Sequence, residues 1–199
     1  MNDQPRSRRE EYAESTRQAL LESATQLFSA NGFVATSLEQ VAADARLTKG
    51  AVYHHFANKQ ALFQAVLERL DTETMQAIVE RSRTAHTTWD AAVAGLDAFL
   101  DRCLDTTYQK ICFQEGPGAL GFVRWWEHGE AHVAGLLKGV LGALRDDSLV
   151  DIDDLDALST AIYGALTASA LSIARAESPS GVRDATRDTM LRLIQGLHP

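Results

Sequence analysis

The sequence predicts an all-α fold, and three observations carry that reading. The four prolines are Pro5, Pro117, Pro179 and Pro199, so the run from Arg6 to Gly116 lacks the residue that breaks helix interiors. That run is rich in Ala, Leu, Glu and Gln, which are strong helix formers. Apolar residues recur at helical spacing, and the period-2 alternation of Val, Ile and Thr that marks strands is absent. About nine helices are expected: a three-helix helix-turn-helix unit in residues 1–60, and a larger helical unit in residues 61–199.

The first helix is expected from about Ser15 to Ala30, with Leu20, Ala24, Leu27 and Phe28 on one apolar face. Asn31-Gly32 should stop it, since both residues tolerate the left-handed cap conformation. Ser37-Leu38-Glu39-Gln40 reads as a capping box that opens a short helix carrying Leu38, Val41, Ala42 and Ala45. Leu47 lies in a tight connection. Thr48 is placed to cap a third short helix through Phe56. Asn58 is placed to cap a fourth, long helix from Lys59 to about Arg83, with Leu62, Phe63, Val66, Leu67, Leu70 and Ile78 inward.

After a polar break at Thr84 to Thr88, Thr88 is expected to cap a helix from Trp89 to about Asp105, with Val93, Leu96, Phe99, Leu100 and Cys103 inward. A short segment, Tyr108 to Gln114, should end at Gly116-Pro117-Gly118. A long helix then spans Leu120 to Arg145. The acidic stretch Asp146 to Asp156 holds a loop and the start of a helix that runs to about Ala176. Ser178-Pro179 opens a last helix over about Val182 to Leu197.

At 45% hydrophobic and 23% charged residues, the chain has the composition of a soluble globular protein rather than a disordered one. Charged residues interrupt its apolar stretches before the ~20 residues needed to cross a bilayer, so no membrane is expected. Met1 to Glu14 is polar and lacks an apolar secretion segment, which predicts the cytoplasm. Cys103 and Cys112 fit no metal or disulfide framework and read as small buried hydrophobes.

The net charge of −8 argues at first against a nucleic-acid partner. Its distribution reverses that. Residues 1–60 hold seven basic and seven acidic side chains, and residues 61–199 hold 12 and 20. The whole excess lies outside the helix-turn-helix, which predicts a polarised molecule that favours one docking orientation.

The third helix, Thr48-Lys49-Gly50-Ala51-Val52-Tyr53-His54-His55-Phe56, mixes three kinds of residue. Val52 and Phe56 are spaced to anchor it to a core. Thr48, Lys49, Tyr53 and His54 carry hydrogen-bonding groups suited to an outer face. Gly50 and Ala51 are small enough for close backbone approach. In a helix-turn-helix this second element enters the DNA major groove.

Phe28-Ser29-Ala30-Asn31-Gly32-Phe33, Ser37-Leu38-Glu39-Gln40-Val41-Ala42, Ala45 through Phe56 and Asn58-Lys59-Gln60-Ala61-Leu62 follow one another in order and spacing. This text, from about Arg17 to Val66, resembles the TetR family of one-component transcriptional repressors. The family usually has glycine in the turn where this chain has Arg46, so Arg46 carries strain if that position needs positive φ. The resemblance implies that Thr36 and Ser37 meet phosphate. It implies that Thr48 caps the recognition helix near the DNA backbone and that Lys49, Gly50 and Ala51 face base edges. It implies that Tyr53, His54 and Lys59 contact phosphates. Arg6, Arg8 and Arg9 resemble the basic arms some members extend to the minor groove, and a frayed tail is the alternative.

The resemblance further implies that residues 61–199 form a ligand-binding and dimerisation domain. The partners would then be operator DNA, a second copy of the chain through the last two helices, and a small apolar or aromatic effector, with no cofactor. Phe99, Cys103, Phe113, Phe122, Trp125, Trp126 and Tyr163 are candidates for the effector pocket, with core packing as the alternative. His128 and His132, spaced i,i+4, read as a solvated helix face, so no metal is expected. The implied function is a DNA-binding repressor released from its operator by a small molecule, and not an enzyme. An activator of the same family and a helical protein adaptor with degenerate DNA binding are the rival readings.

Overall fold

The computed structural model describes residues 8–197. The described residues form helices throughout: α1 (Arg8–Ala35), α2 (Leu38–Asp44), α3 (Lys49–His55), α4 (Lys59–Arg83), α5 (Thr88–Arg102), α6 (Thr106–Tyr108), a π-helical stretch Gln109–Glu115, α7 (Gly116–Leu120), α8 (Phe122–Asp146), α9 (Leu155–Arg175) and α10 (Pro179–Gln195). Two compact units divide within α4, Met1–Glu68 and Arg69–Pro199, whereas the sequence put the division after residue 60.

In the first unit, α1 begins earlier than its apolar periodicity suggested and breaks at Gly32, where φ is 80° and ψ 169°. The capping box forms as read. The Gln40 amide donates to Ser37 Oγ at 3.2 Å, and the Ser37 amide donates to Gln40 Oε1 at 2.7 Å. Thr48 Oγ1 accepts from the Ala51 amide at 3.2 Å, and Asn58 Oδ1 from the Ala61 amide at 2.8 Å. Leu20, Ala24 and Phe28 of α1, Val41 of α2, Val52 of α3 and Leu62, Phe63 and Val66 of α4 make the core, each fully or almost fully removed from solvent. Phe28 meets Phe63 edge-on at 5.1 Å. Arg6 lies outside the described residues. Arg8 and Arg9 belong to the first turn of α1 rather than to an extended arm.

In the second unit two expected boundaries move. Thr87, not Thr88, caps α5, its Oγ1 accepting from the Asp90 amide at 3.0 Å. Gly116-Pro117-Gly118 does not end a helix. These residues open α7, where proline costs no needed hydrogen bond, and the chain breaks instead at Gly121, with φ 82°. Leu141, Leu144, Val150 and Ile152 form a core against Trp89, Leu155, Leu158 and Ile194. Val93, Leu96 and Phe99 are only half-buried. Across α5 and α10, Arg187 Nε donates to Asp97 Oδ1 at 2.7 Å and Arg183 Nη2 to the same oxygen at 2.8 Å. α9 is long and apolar enough to span a bilayer by length and composition, yet only 28% of its most apolar stretch is buried within the chain.

Candidate functional site

The α2–turn–α3 segment is built by local rules. After α2 the Arg46 amide donates to Ala43 O at 3.1 Å and the Leu47 amide to Ala42 O at 2.8 Å. This pairing closes the helix with a left-handed residue, and that residue is Arg46, at φ 56°. The turn conformation that favours glycine is thus adopted by an arginine, which stores strain of about 1 kcal/mol.

α3 then presents Thr48, Lys49, Gly50, Tyr53 and His54 outward, all exposed, with Ala51 partly exposed and Val52 and Phe56 inward. A Cβ on Gly50 would meet only its neighbour Thr48 Oγ1, at 3.8 Å, so the helix surface there is open. Lys49 lies 2.5 Å from Glu39 of α2 and above the Tyr53 ring at 5.7 Å. The hydrogen bond between them holds the Glu39 carboxyl below its ordinary range and the Lys49 ammonium above its own. His54 and His55 rings meet edge-on at 5.2 Å, and partial burial with the nearby His54 and Arg17 charges lowers the His55 pKa.

Two residues expected at phosphates make hydrogen bonds within the fold. Thr36 is buried at 1% exposure, and its hydroxyl donates to Gly32 O at 2.8 Å and Leu27 O at 3.2 Å. It fastens the kinked end of α1, and its side chain faces the interior. Lys59 Nζ donates to the carbonyls of Phe33 at 2.8 Å, Val34 at 3.1 Å and Thr36 at 2.9 Å, above the Phe33 ring at 4.5 Å. All three ammonium donors are used. Lys59 closes the carbonyl end of α1. Ser37, Tyr53 and Asn58 line the open surface groove beside it.

The second unit gathers most of the expected pocket residues in one aromatic chain. Phe113 meets Trp125 at 6.5 Å, Trp125 meets Phe122 at 5.7 Å, Phe122 meets Trp126 at 6.1 Å, and Trp126 meets Tyr163 at 4.9 Å. The members differ in what they can offer a ligand. Trp125 is buried and its indole donates to Cys112 O at 2.7 Å, so it is core. Phe122 is 61% exposed at the start of α8, and Trp126 is half-buried. The Tyr163 hydroxyl donates to Trp126 O at 3.2 Å, and burial pushes the phenol up to about 12. Tyr163 fits only because residue 129 is glycine, where a Cβ would stand 2.4 Å from its hydroxyl. Cys103 is fully buried at the end of α5, and burial raises its thiol pKa. Cys103 and Phe99 stand on α5 and its C-terminal end, apart in sequence from the elements that carry the aromatic chain, so sequence reasoning grouped them with it only by type.

The reading of His128 and His132 as a solvated face is overturned. The His128 side chain is only 10% exposed, and its Nε2 lies 3.1 Å from Oδ2 of Asp71 on α4. Sequence reasoning missed Asp71 because it lies 57 residues from its partner. It also missed Glu39, which no helical spacing rule links to Lys49.

Two family profiles match the chain. Residues 20–66 match the one described as bacterial regulatory proteins, tetR family, and residues 89–197 match the tetracyclin repressor-like, C-terminal domain. The chain is 26% identical to the Transposon Tn10 TetC protein of Escherichia coli over 159 residues, 80% of each chain. Over 55 residues, 28% of each chain, it is 38% identical to the HTH-type transcriptional regulator UidR of Escherichia coli strain K12. The crystal structure of a TetR-family transcriptional regulator from Pectobacterium atrosepticum superposes with a TM-score of 0.81 at 30% identity, covering 97% of this chain and 98% of that one.

Proposed function

The chain belongs to the TetR family of transcriptional regulators, which bind operator DNA and small-molecule effectors as homodimers, and from that membership we propose that α3 reads its operator through Lys49, Gly50 and Ala51. The observation that carries this is the outward face of α3, where the exposed residues are those with hydrogen-bonding groups or no side chain bulk. Ser37, Thr48, Tyr53 and His54 border that face and supply phosphate contacts. Thr36 and Lys59 position the elements that carry them.

The protein represses transcription in the cytoplasm and performs no catalytic step. A small apolar or aromatic effector enters beside Phe122 and Trp126, where the aromatic chain is least enclosed, with the buried Tyr163 against Trp126. The unburied apolar length of α9, with α10 beside it, supports a homodimer through these two helices. In a two-fold dimer, two copies of α3 would read half-sites one turn apart, about 34–36 Å. Footprinting on the intergenic DNA next to the protein's own gene tests the reading. Two protected half-sites separated by one helical turn are expected. Protection that scrambled competitor removes as readily as specific competitor would refute it.

A further inference from the structure

Asp71 of α4 and His128 and His132 of α8 converge in the second unit, and neither the aromatic chain nor the DNA-reading face uses them. One ligand atom from each lies within 4.8 Å of the other two. The imidazole rings stand one helical turn apart with centroids 4.3 Å from each other. The site is sheltered, with the Asp71 side chain 14% exposed and that of His128 10%.

The groups around the three side chains orient them. His132 Nδ1 donates to the His128 carbonyl at 2.8 Å, which leaves Nε2 with its lone pair free. Metal-bound histidines are commonly fixed by this kind of bond from the second ring nitrogen. The Tyr108 hydroxyl donates to Asp71 Oδ1 at 3.4 Å, leaving Oδ2 toward His128. Burial, and after it the nearby Asp71 charge, raises the pKa of Cys112, Tyr108 and Tyr163. Among the described residues its ion-pair partner is a histidine rather than an arginine or lysine.

We propose that Asp71, His128 and His132 form a binding site for a divalent first-row transition ion. Two imidazoles and one carboxylate suit zinc, cobalt, nickel or ferrous iron and not magnesium or calcium, which take oxygen donors. Metal–donor bonds of about 2.0–2.2 Å put tetrahedral donors roughly 3.3 Å apart. The 3.1 Å between Asp71 Oδ2 and His128 Nε2 already matches that spacing. With the three donor atoms within 4.8 Å of one another, the widest separation must shorten by at most roughly 1.5 Å, within reach of side-chain rotation. Three protein donors leave at least one position for water. This site rests on the second unit alone and stands whether or not the chain represses transcription.

The test uses the full-length protein stripped by chelator. Cobalt(II) is titrated and read by its visible absorption, and zinc is then added as competitor. One equivalent of cobalt should give the intense bands of a four- or five-coordinate ion, and zinc should bleach them. Asp71→Asn, His128→Gln and His132→Gln should each weaken binding by more than about tenfold. His86→Gln, at an exposed histidine outside the site, should leave it unchanged. Thermal unfolding without metal shows that each variant is folded, and His132→Gln, which leaves the Asp71–His128 pair intact, carries the decision if the others are not. Absence of the cobalt bands in wild type, or bands that survive in folded His132→Gln, would overturn the site.

Discussion

Replacing Lys59 with methionine keeps the aliphatic stem over Phe33 and removes the ammonium. Wild type makes three charge-assisted hydrogen bonds there, to Phe33, Val34 and Thr36 carbonyls at 2.8, 3.1 and 2.9 Å. A single such bond contributes about 1.5–3 kcal/mol net. The three share one ammonium, and the bond to Val34 is exposed, so water replaces part of what is lost. The expected destabilisation is therefore about 2–3 kcal/mol, less than the sum of three bonds. At 2–4 °C per kcal/mol for a chain of this size, thermal unfolding should fall by roughly 4–12 °C. Circular dichroism melting of both proteins, with operator affinity measured across a salt series, provides the assay. Affinity should fall through loss of folded helix-turn-helix, with the salt slope of the folded protein unchanged. A variant that melts with wild type but loses about one unit of salt slope would refute the reasoning and make Lys59 a phosphate contact.

Arg46→Gly removes a side chain from a left-handed position. It should stabilise the protein by no more than about 0.5 kcal/mol in denaturant unfolding, because glycine's greater freedom when unfolded offsets much of the relieved strain. Ser37→Ala breaks the capping box and should cost about 1 kcal/mol in the same measurement. Glu39→Gln releases Lys49 and removes a negative charge beside α3. It should tighten operator binding about two- to fivefold at low salt, with a smaller gain at high salt, as read by fluorescence anisotropy. Burial alone would raise the Asp97 pKa, but hydrogen bonds and charge from Arg187 and Arg183 bring it below the ordinary 3.8. A depressed carboxylate stabilises the fold above its unfolded pKa and loses that effect as pH falls through the folded value. Asp97→Asn should therefore lower stability at pH 7 and flatten the stability loss below about pH 4.

The first unit was largely legible because its signals are local. Ser37 with Gln40, Thr48 with Ala51 and Asn58 with Ala61 each lie three residues apart, and all three caps formed. The positive φ at Arg46 was foreseen as a condition and is met. Roles that depend on long-range contact were not legible. Nothing near Lys59 in sequence shows that its ammonium turns back to carbonyls 23 to 26 residues earlier. Nothing near His128 announces Asp71. Gly116-Pro117-Gly118 looked like a stop because its residues disfavour helix interiors, but proline at the head of α7 obeys a different rule. Among the expected effector residues, type alone could not separate buried Trp125 from half-buried Trp126, since adjacent helix positions about 100° apart face different surroundings.

The central claim is that the exposed face of α3 reads operator DNA. The most direct measurement is anisotropy of wild type and Lys49→Ala on the flanking intergenic DNA and on scrambled DNA, across a salt series. Wild type should prefer the intergenic site, with log affinity falling steeply against log salt. Lys49→Ala should lose about 1–3 kcal/mol on that site and far less on scrambled DNA. Equal weakening on both would reduce Lys49 to a phosphate contact, and no preference by wild type itself would contradict the account.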